Sequence, residues 1–519
     1  MKKLNKLVLA VLAVSLFSCN DDFDNPVEDF KVSAGSADFS NYIALGNSLT
    51  SGYRDNALYS SAQENSYPNM LAGLMKAAGG GEFKIPLMPD DIGGFTNLGV
   101  AGKLELKIVD GELSPAATAA QSAFSSVAGQ GPYNNLGVPG AKSYHLIANG
   151  YGNPAGLAAG TANPYFARFA QSATQSVLEY ALSQPKAPTF FSLWIGNNDV
   201  LGYAVSGGVG VDQTGNVDPR TYGSNDISDV NVVKSSINTV VSQLTGRGAK
   251  GVIANIPSVT SVPYFTTVPY APLSPTNPAF GPMIPTLNQT FAGLNQVFDA
   301  LGASDRKIVF SPNAASPVVI KDKDLTDLSA QITAALTPVL GASKATLFGM
   351  TYGQARQATA KDLLVLSSST YIGKADPARV QALMQLGLTQ AEAGQLAIAG
   401  VTYPLEDKWV LSEKEVAKAE AAVVKYNNAI TEIANAYGLA LVDTYSQMKS
   451  LSSNSGIKFY GNTYTTTFVS GGAFSLDGIH LTGTGYAIVA NMFVDAINQK
   501  FGSTLRKVNP GNYPGIVIP

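Results

Sequence analysis

The sequence predicts an α/β protein. A parallel sheet carries helices on both faces and is interrupted by a large, partly helical insertion. Three observations point there. Short apolar runs end in turn residues at 42–45, 189–195, 251–256 and 439–442, as buried parallel strands do. Between and after them, apolar residues recur every three to four positions over 68–78, 168–182, 230–244, 413–437 and 485–501, the period of amphipathic helices. Two stretches break the alternation. Residues 79–133 are rich in Gly, Ala and Ser and contain the alternating run 104–109, while 258–410 opens Pro-rich and reads as helical only from Leu325 onward. These divisions give a core in two parts, 40–257 and 411–503. The first part carries insertion 79–133, the inserted region 258–410 lies between the two, and 504–519 forms a C-terminal tail.

The N-terminus reads differently. Lys2, Lys3 and Lys6 form a basic head, residues 7–17 are a continuous apolar run, and Ser18-Cys19 follows. That run fits a secretory signal and is too short for a permanent membrane span. The polar, acidic residues 20–24 rule out an amphipathic continuation. Leu16-Phe17-Ser18-Cys19 resembles a bacterial lipobox, which implies a signal peptide over 1–18, lipidation at Cys19 and a tether over 19–39. The acidic run after Cys19 resembles the surface-export signals of Bacteroidota lipoproteins. The expected location is therefore the cell envelope, with a lipid anchor in the outer membrane. Cys19 is the only cysteine, so the folded part stands without disulfides.

Composition excludes some classes of function. Of 519 residues only 14% are charged and the net charge is −3, which supplies no field to attract nucleic acid, and basic patches with interleaved aromatics are absent. The two histidines, His145 and His480, are far apart in sequence and cannot form a typical metal site with one cysteine. No metal or cofactor is called for.

Four turns at the ends of apolar runs carry candidate chemistry. Gly46-Asn47-Ser48-Leu49 places a serine just past a strand, where its hydroxyl is exposed at the carboxyl edge of a sheet. Asn135-Leu136-Gly137-Val138-Pro139-Gly140 allows close approach of a substrate, and Gly140 can offer its N–H to an oxyanion. Trp194-Ile195-Gly196-Asn197-Asn198-Asp199 puts the neutral amide of Asn198 at the sheet edge. Asp477-Gly478-Ile479-His480 supplies a base and the carboxylate that holds its tautomer from one tight turn. Alone, each is explained as well by an ordinary turn or a helix cap. His145, shortly after Gly140, reads as a surface or substrate-lining residue. The G-x-S-x-G elbow of α/β-hydrolases is absent around Ser48.

Taken together, the four stretches resemble the SGNH (GDSL-like) hydrolases in order, spacing and flanking structure. The resemblance covers residues 42–53, 135–140, 193–200 and 477–485. It implies a flavodoxin-like three-layer α/β/α sandwich, with Ser48 as nucleophile and Asp477 and His480 completing a triad. The N–H of Ser48, Gly140 and the Asn198 amide would bind the oxyanion. Asn47 stands where the family carries aspartate, so the hydrogen bonding around Ser48 must differ. The implied function is hydrolysis of carboxylic esters, of lipid acyl or acetylated glycan type, through an acyl-enzyme. The alternative is a surface lipoprotein that keeps the fold, has lost activity and binds glycan or lipid. The insertion 258–410 is expected to cap the site, with an assembly interface as its other reading.

Overall fold

The computed structural model describes residues 31–109 and 111–519. Its central sheet has five strands: β1 (Tyr42–Gly46), β2 (Asn135–Gly137), β3 (Phe190–Trp194), β4 (Lys250–Ala254) and β5 (Ala440–Val442). They are all parallel, in the order β5-β4-β3-β1-β2. This is the flavodoxin-like order, in which the chain reverses direction between β1 and β3 and opens a crevice at the carboxyl edge. Every residue of β1 and of β3 is buried, which is why their sequences read as unbroken apolar runs.

Helices cover both faces and make the fold a three-layer α/β/α sandwich. Tyr67–Lys76 and Gly483–Phe501 pack on each other. Tyr67 stacks on Phe493 at 4.6 Å between ring centroids and meets Trp194 edge-on. Val230–Thr245 and Glu413–Ala436 pair with each other over β4. The first of these buries Val233, Ile237, Val240, Val241 and Leu244, a single stripe at helical spacing. The second starts at a capping box, in which Ser412 and Glu415 satisfy each other's backbone N–H.

Three elements differ from the sequence expectation. The helix expected over 168–182 is two short ones, Pro164–Ala167 and Val177–Leu182, because Ser176 opens a new helix by accepting from the N–H of Glu179 at 3.1 Å. β2 was not among the expected strands: three residues including a glycine, followed by Pro139, show no apolar periodicity. In the 258–410 insertion a 17-residue helix, Ile284–Ala300, begins well before Leu325, inside the Pro-rich stretch. Pro285 sits in its first turn, where a missing N–H costs no hydrogen bond.

The insertions are built locally. Leu104–Val109 pairs antiparallel with Glu112–Ala117 as a hairpin. The long insertion has an apolar core of its own around Phe291, Phe298, Phe310, Ile320 and Tyr352, whereas Val262, Phe265 and Val365 belong to the main core. Both ends of the folded chain are docked. Ser36 N donates to Phe501 O at 2.8 Å, Thr504 N donates to Ser33 O at 2.9 Å, and Phe39 meets the Phe190 ring edge-on at 4.9 Å. Residues 33–39, expected as tether, therefore lie against the core. The 504–519 tail does too: Leu505 is buried and Gly515 O accepts from Arg54 Nη2 at 3.2 Å. The signal peptide, Cys19 and most of the tether lie outside the described residues. Among those described, no helix is long and apolar enough to cross a membrane.

Candidate active site

Register sets the site. Gly46 at the end of β1 pairs with Gly137 on one side and Trp194 on the other. Ser48, Gly140 and Asn198 follow these residues closely, so the three turns lie side by side at the carboxyl edge of neighbouring strands. The serine turn crosses the end of β3 so closely that a β-carbon on Gly46 would lie 2.4 Å from Trp194 O and 2.1 Å from Thr50 Oγ1. Only glycine fits there. Asn47 caps the short helix Ser48–Ser51, its Oδ1 accepting from Leu49 N at 3.0 Å. Its Nδ2 donates to Asn197 Oδ1 at 3.2 Å, which ties the serine turn to the asparagine turn.

His480 reaches this edge from the loop after β5. Its Nε2 lies 2.9 Å from Ser48 Oγ and its Nδ1 lies 2.9 Å from Asp477 Oδ2. An ionised carboxylate can only accept, so Nδ1 carries the proton and Nε2 is left to accept from the Ser48 hydroxyl. Burial alone would raise the Asp477 carboxyl. The His480 imidazole and the N–H groups of His480 and Ile479, at 2.7 and 2.8 Å, outweigh it and hold the group well below the ordinary carboxylate range. Gly478 makes the turn with φ +71°, and a β-carbon there would come within 2.9 Å of Tyr264 N. That backbone N–H donates to Gly478 O at 2.9 Å, so the long insertion touches the turn that carries Asp477 and His480.

The turns that carry Gly140 and Asn198 are tied to each other. Asn198 opens the helix Asn198–Val205, and its Nδ2 donates to Ala141 O at 2.9 Å, beside Gly140. The next residue, Asp199, is fully buried and accepts from Ser143 N at 2.7 Å and Ser143 Oγ at 2.9 Å. Burial pushes its carboxyl up despite the Ser143 donors. Gly140 is exposed with φ +80°. Among the described residues no protein group accepts the backbone N–H of Ser48 or Gly140. His145 lies just behind, its Nδ1 accepting from Lys142 N at 3.1 Å and its ring stacked on Tyr151 at 4.4 Å. Burial, then the nearby Lys142, push its pKa down to about 4, so it is neutral near pH 7.

Sequence reasoning missed a second layer. Asp55 and Asn56 both have positive φ, +52° and +59°, a strained setting for two successive residues that are not glycine. Asn56 N donates to Asp477 Oδ2 at 2.9 Å. Asp55 N donates to Ser475 Oγ at 2.9 Å, and Asp55 Oδ1 accepts from Leu476 N at 3.1 Å. Its other oxygen accepts from Arg54 Nε at 2.9 Å and from Tyr59 OH at 2.7 Å. This buried ion pair thus aims one N–H at the Asp477 carboxylate and holds the loop that carries it. Tyr53 packs its ring on the His480 imidazole at 4.7 Å. Nothing local in the sequence marks Asp55 or Asn56. Tyr53 closed the stretch that carried the family resemblance and had no role assigned.

Among the described residues no cluster of His, Cys, Asp and Glu could hold a metal ion. No family model and no curated protein matches the chain. Among solved structures it is similar to a catalytic mutant of Axe2, an acetylxylan esterase from Geobacillus stearothermophilus. That likeness has 9% identity and a TM-score of 0.31, over 91% of this chain and 98% of the other. A further Axe2 mutant, an acetyl-xylooligosaccharide esterase, is 10% identical with a TM-score of 0.29, over 90% of this chain and 96% of that one.

Proposed function

We propose that the chain is a serine-dependent carboxylic-ester hydrolase of the SGNH type. The observation that carries this reading is the relay Ser48 Oγ, His480 Nε2, His480 Nδ1, Asp477 Oδ2, with both hydrogen bonds at 2.9 Å. Ser48 Oγ attacks the acyl carbon as His480 Nε2 takes the hydroxyl proton, and Asp477 stabilises the imidazolium. The carbonyl oxygen becomes an oxyanion, bound by the N–H groups of Ser48 and Gly140 and by the free Asn198 amide hydrogen. His480 returns its proton to the alkoxide, which leaves as an alcohol. Water then gives a proton to His480 and its hydroxide to the acyl carbon. Collapse releases the carboxylic acid and restores Ser48.

Leu49 and Ile479, next in sequence to Ser48 and His480, line an apolar cleft of about 70 Å³ together with Met448, Leu451 and Met492. The cleft suits the acyl part of an ester, lipid or acetylated glycan. The contact of Tyr264 with Gly478 supports reading 258–410 as a cap that narrows access to Ser48. Cys19 anchors the protein to the outer membrane through its lipid. The test is turnover of chromogenic esters of increasing acyl length by the full chain, with Ser48→Ala as control. No turnover of any ester by an intact fold would leave the binding-protein alternative. Release of a Cys19→Ser variant from the membrane fraction tests the anchor, and its retention would overturn it.

A further inference from the structure

A cavity of about 620 Å³ lies away from Ser48, inside the long insertion. It lies between the helix Ala342–Tyr352, the segment after the helix Pro377–Gln385, and the loop around Tyr403. Its wall has two characters. Leu347, Met350, Leu386 and Leu388 make an aliphatic side, and Met350 and Leu386 are 75% and 67% exposed. Lys321, Lys344 and Arg379 bring three positive charges to the same space, against one carboxylate there, Glu406, which already accepts from Tyr403 OH at 2.6 Å.

Arg379 is the most informative of these. A guanidinium offers five N–H donors. Among the described residues, its side chain makes one hydrogen bond, from Nη2 to Thr351 Oγ1 at 2.9 Å. Its Nε is buried with no partner at all. The group lies over the Tyr403 ring, its Cζ 5.1 Å from the centroid, a cation–π contact that helps hold it in place before any ligand arrives. Lys321 has no carboxylate within salt-bridge distance among the described residues, and the Lys344–Glu392 pair at 3.2 Å is solvent-exposed. A fixed cationic donor with spare N–H groups beside an aliphatic wall is the complement of a carboxylate head on an alkyl tail.

We propose that this cavity binds a single-chain anionic amphiphile, a fatty-acid-like carboxylate whose head meets Arg379 and Lys321 and whose chain lies along Leu347, Met350 and Leu386. Acidic sugars fit less well, since the wall offers one aromatic ring, already covered by Arg379, and four aliphatic side chains. The site is separate from the ester-hydrolase centre and does not depend on that reading.

The experiment is calorimetric titration of the full chain, carrying Ser48→Ala to silence the proposed chemistry, with dodecanoate below its micelle concentration. Octanoate, decanoate, dodecanol and digalacturonate are titrated alongside. The expected result is saturable one-site binding that tightens by about fourfold per added CH2. Arg379→Gln and Lys321→Gln should each weaken dodecanoate by about tenfold or more while leaving dodecanol unchanged. Lys321 is exposed, so its variant keeps the test valid even if Arg379→Gln fails to fold. Equal affinity for dodecanol and dodecanoate, tighter binding of digalacturonate, or dodecanoate affinity that ignores both substitutions would each overturn the proposal.

Discussion

Replacing Asp55 with alanine tests whether the layer behind the triad acts on catalysis. The substitution removes one carboxylate that serves three donors: Arg54 Nε at 2.9 Å, Tyr59 OH at 2.7 Å and Leu476 N at 3.1 Å. The Arg54 and Asp55 side chains are only 9% and 7% exposed, so the arginine left behind cannot simply turn to water. Removing one partner of a buried pair costs about 3–5 kcal/mol. Alanine at φ +52° adds roughly 1 kcal/mol of backbone strain. The folded chain should survive but lose that much unfolding free energy, read from urea denaturation. Catalysis should fall too, because Asn56 N and Leu476 lose the frame that fixes them on the Asp477 loop. A hydrogen bond to a charged group contributes about 1.5–3 kcal/mol, so kcat should drop about 10–100-fold with KM changed by less than about threefold. Asn56→Gly is the control: it relieves the positive φ and keeps the N–H, so kcat should stay within about threefold of the parent. The assay is steady-state turnover of a chromogenic ester beside circular dichroism and urea unfolding. An unchanged kcat in Asp55→Ala, or equal damage in Asn56→Gly, would refute the reasoning.

Three further outcomes follow from the geometry. Asn198→Ala should lower kcat by roughly 10²–10³-fold with little change in KM, since its free amide hydrogen matters when charge develops on the oxygen; a loss confined to KM would contradict the assignment. Asn47→Asp should be tolerated, because the carboxylate can still accept from Leu49 N and a flipped Asn197 amide can donate to its other oxygen; a kcat loss as large as that of Asn198→Ala would show that the Asn47 amide is itself needed. In the insertion, Asp362 is fully buried and held below the ordinary carboxylate range, against its burial, by the Arg356 fork at 2.7 Å and by the Thr359 N–H. A depressed carboxyl stabilises above its unfolded value of about 3.9 and loses that stability as pH falls toward its folded one. Asp362→Asn should therefore cost about 3–5 kcal/mol at pH 7 and progressively less below pH ~4, read from urea midpoints across pH; a constant deficit would contradict it.

What could be read from the sequence follows from range. The strands β1 and β3 are buried throughout and β4 and β5 largely so, and their apolar runs announce themselves. The site residues Ser48, Gly140, Asn198, Asp477 and His480 each sit in a turn that closes an element, where residue type alone suggests chemistry. β2 carries too few residues for a period to show and is defined by pairing with β1. Asp55 and Asn56 act on groups 420 and 421 positions away, through backbone contacts that no local pattern encodes. The helix Ile284–Ala300 was hidden by its prolines, which mark a first turn as readily as a loop. The docking of 33–39 and 504–519 depends on the two ends meeting at Phe501 and Ser33.

The most direct test of the central claim is labelling of the full chain with a fluorophosphonate, followed by peptide mapping. Ser48 is the nucleophile in this account, activated by His480 across 2.9 Å. The phosphonyl group should be found on Ser48 alone, with labelling lost in Ser48→Ala and slowed by orders of magnitude in His480→Ala. Modification of a different serine, or unchanged labelling without His480, would contradict the account.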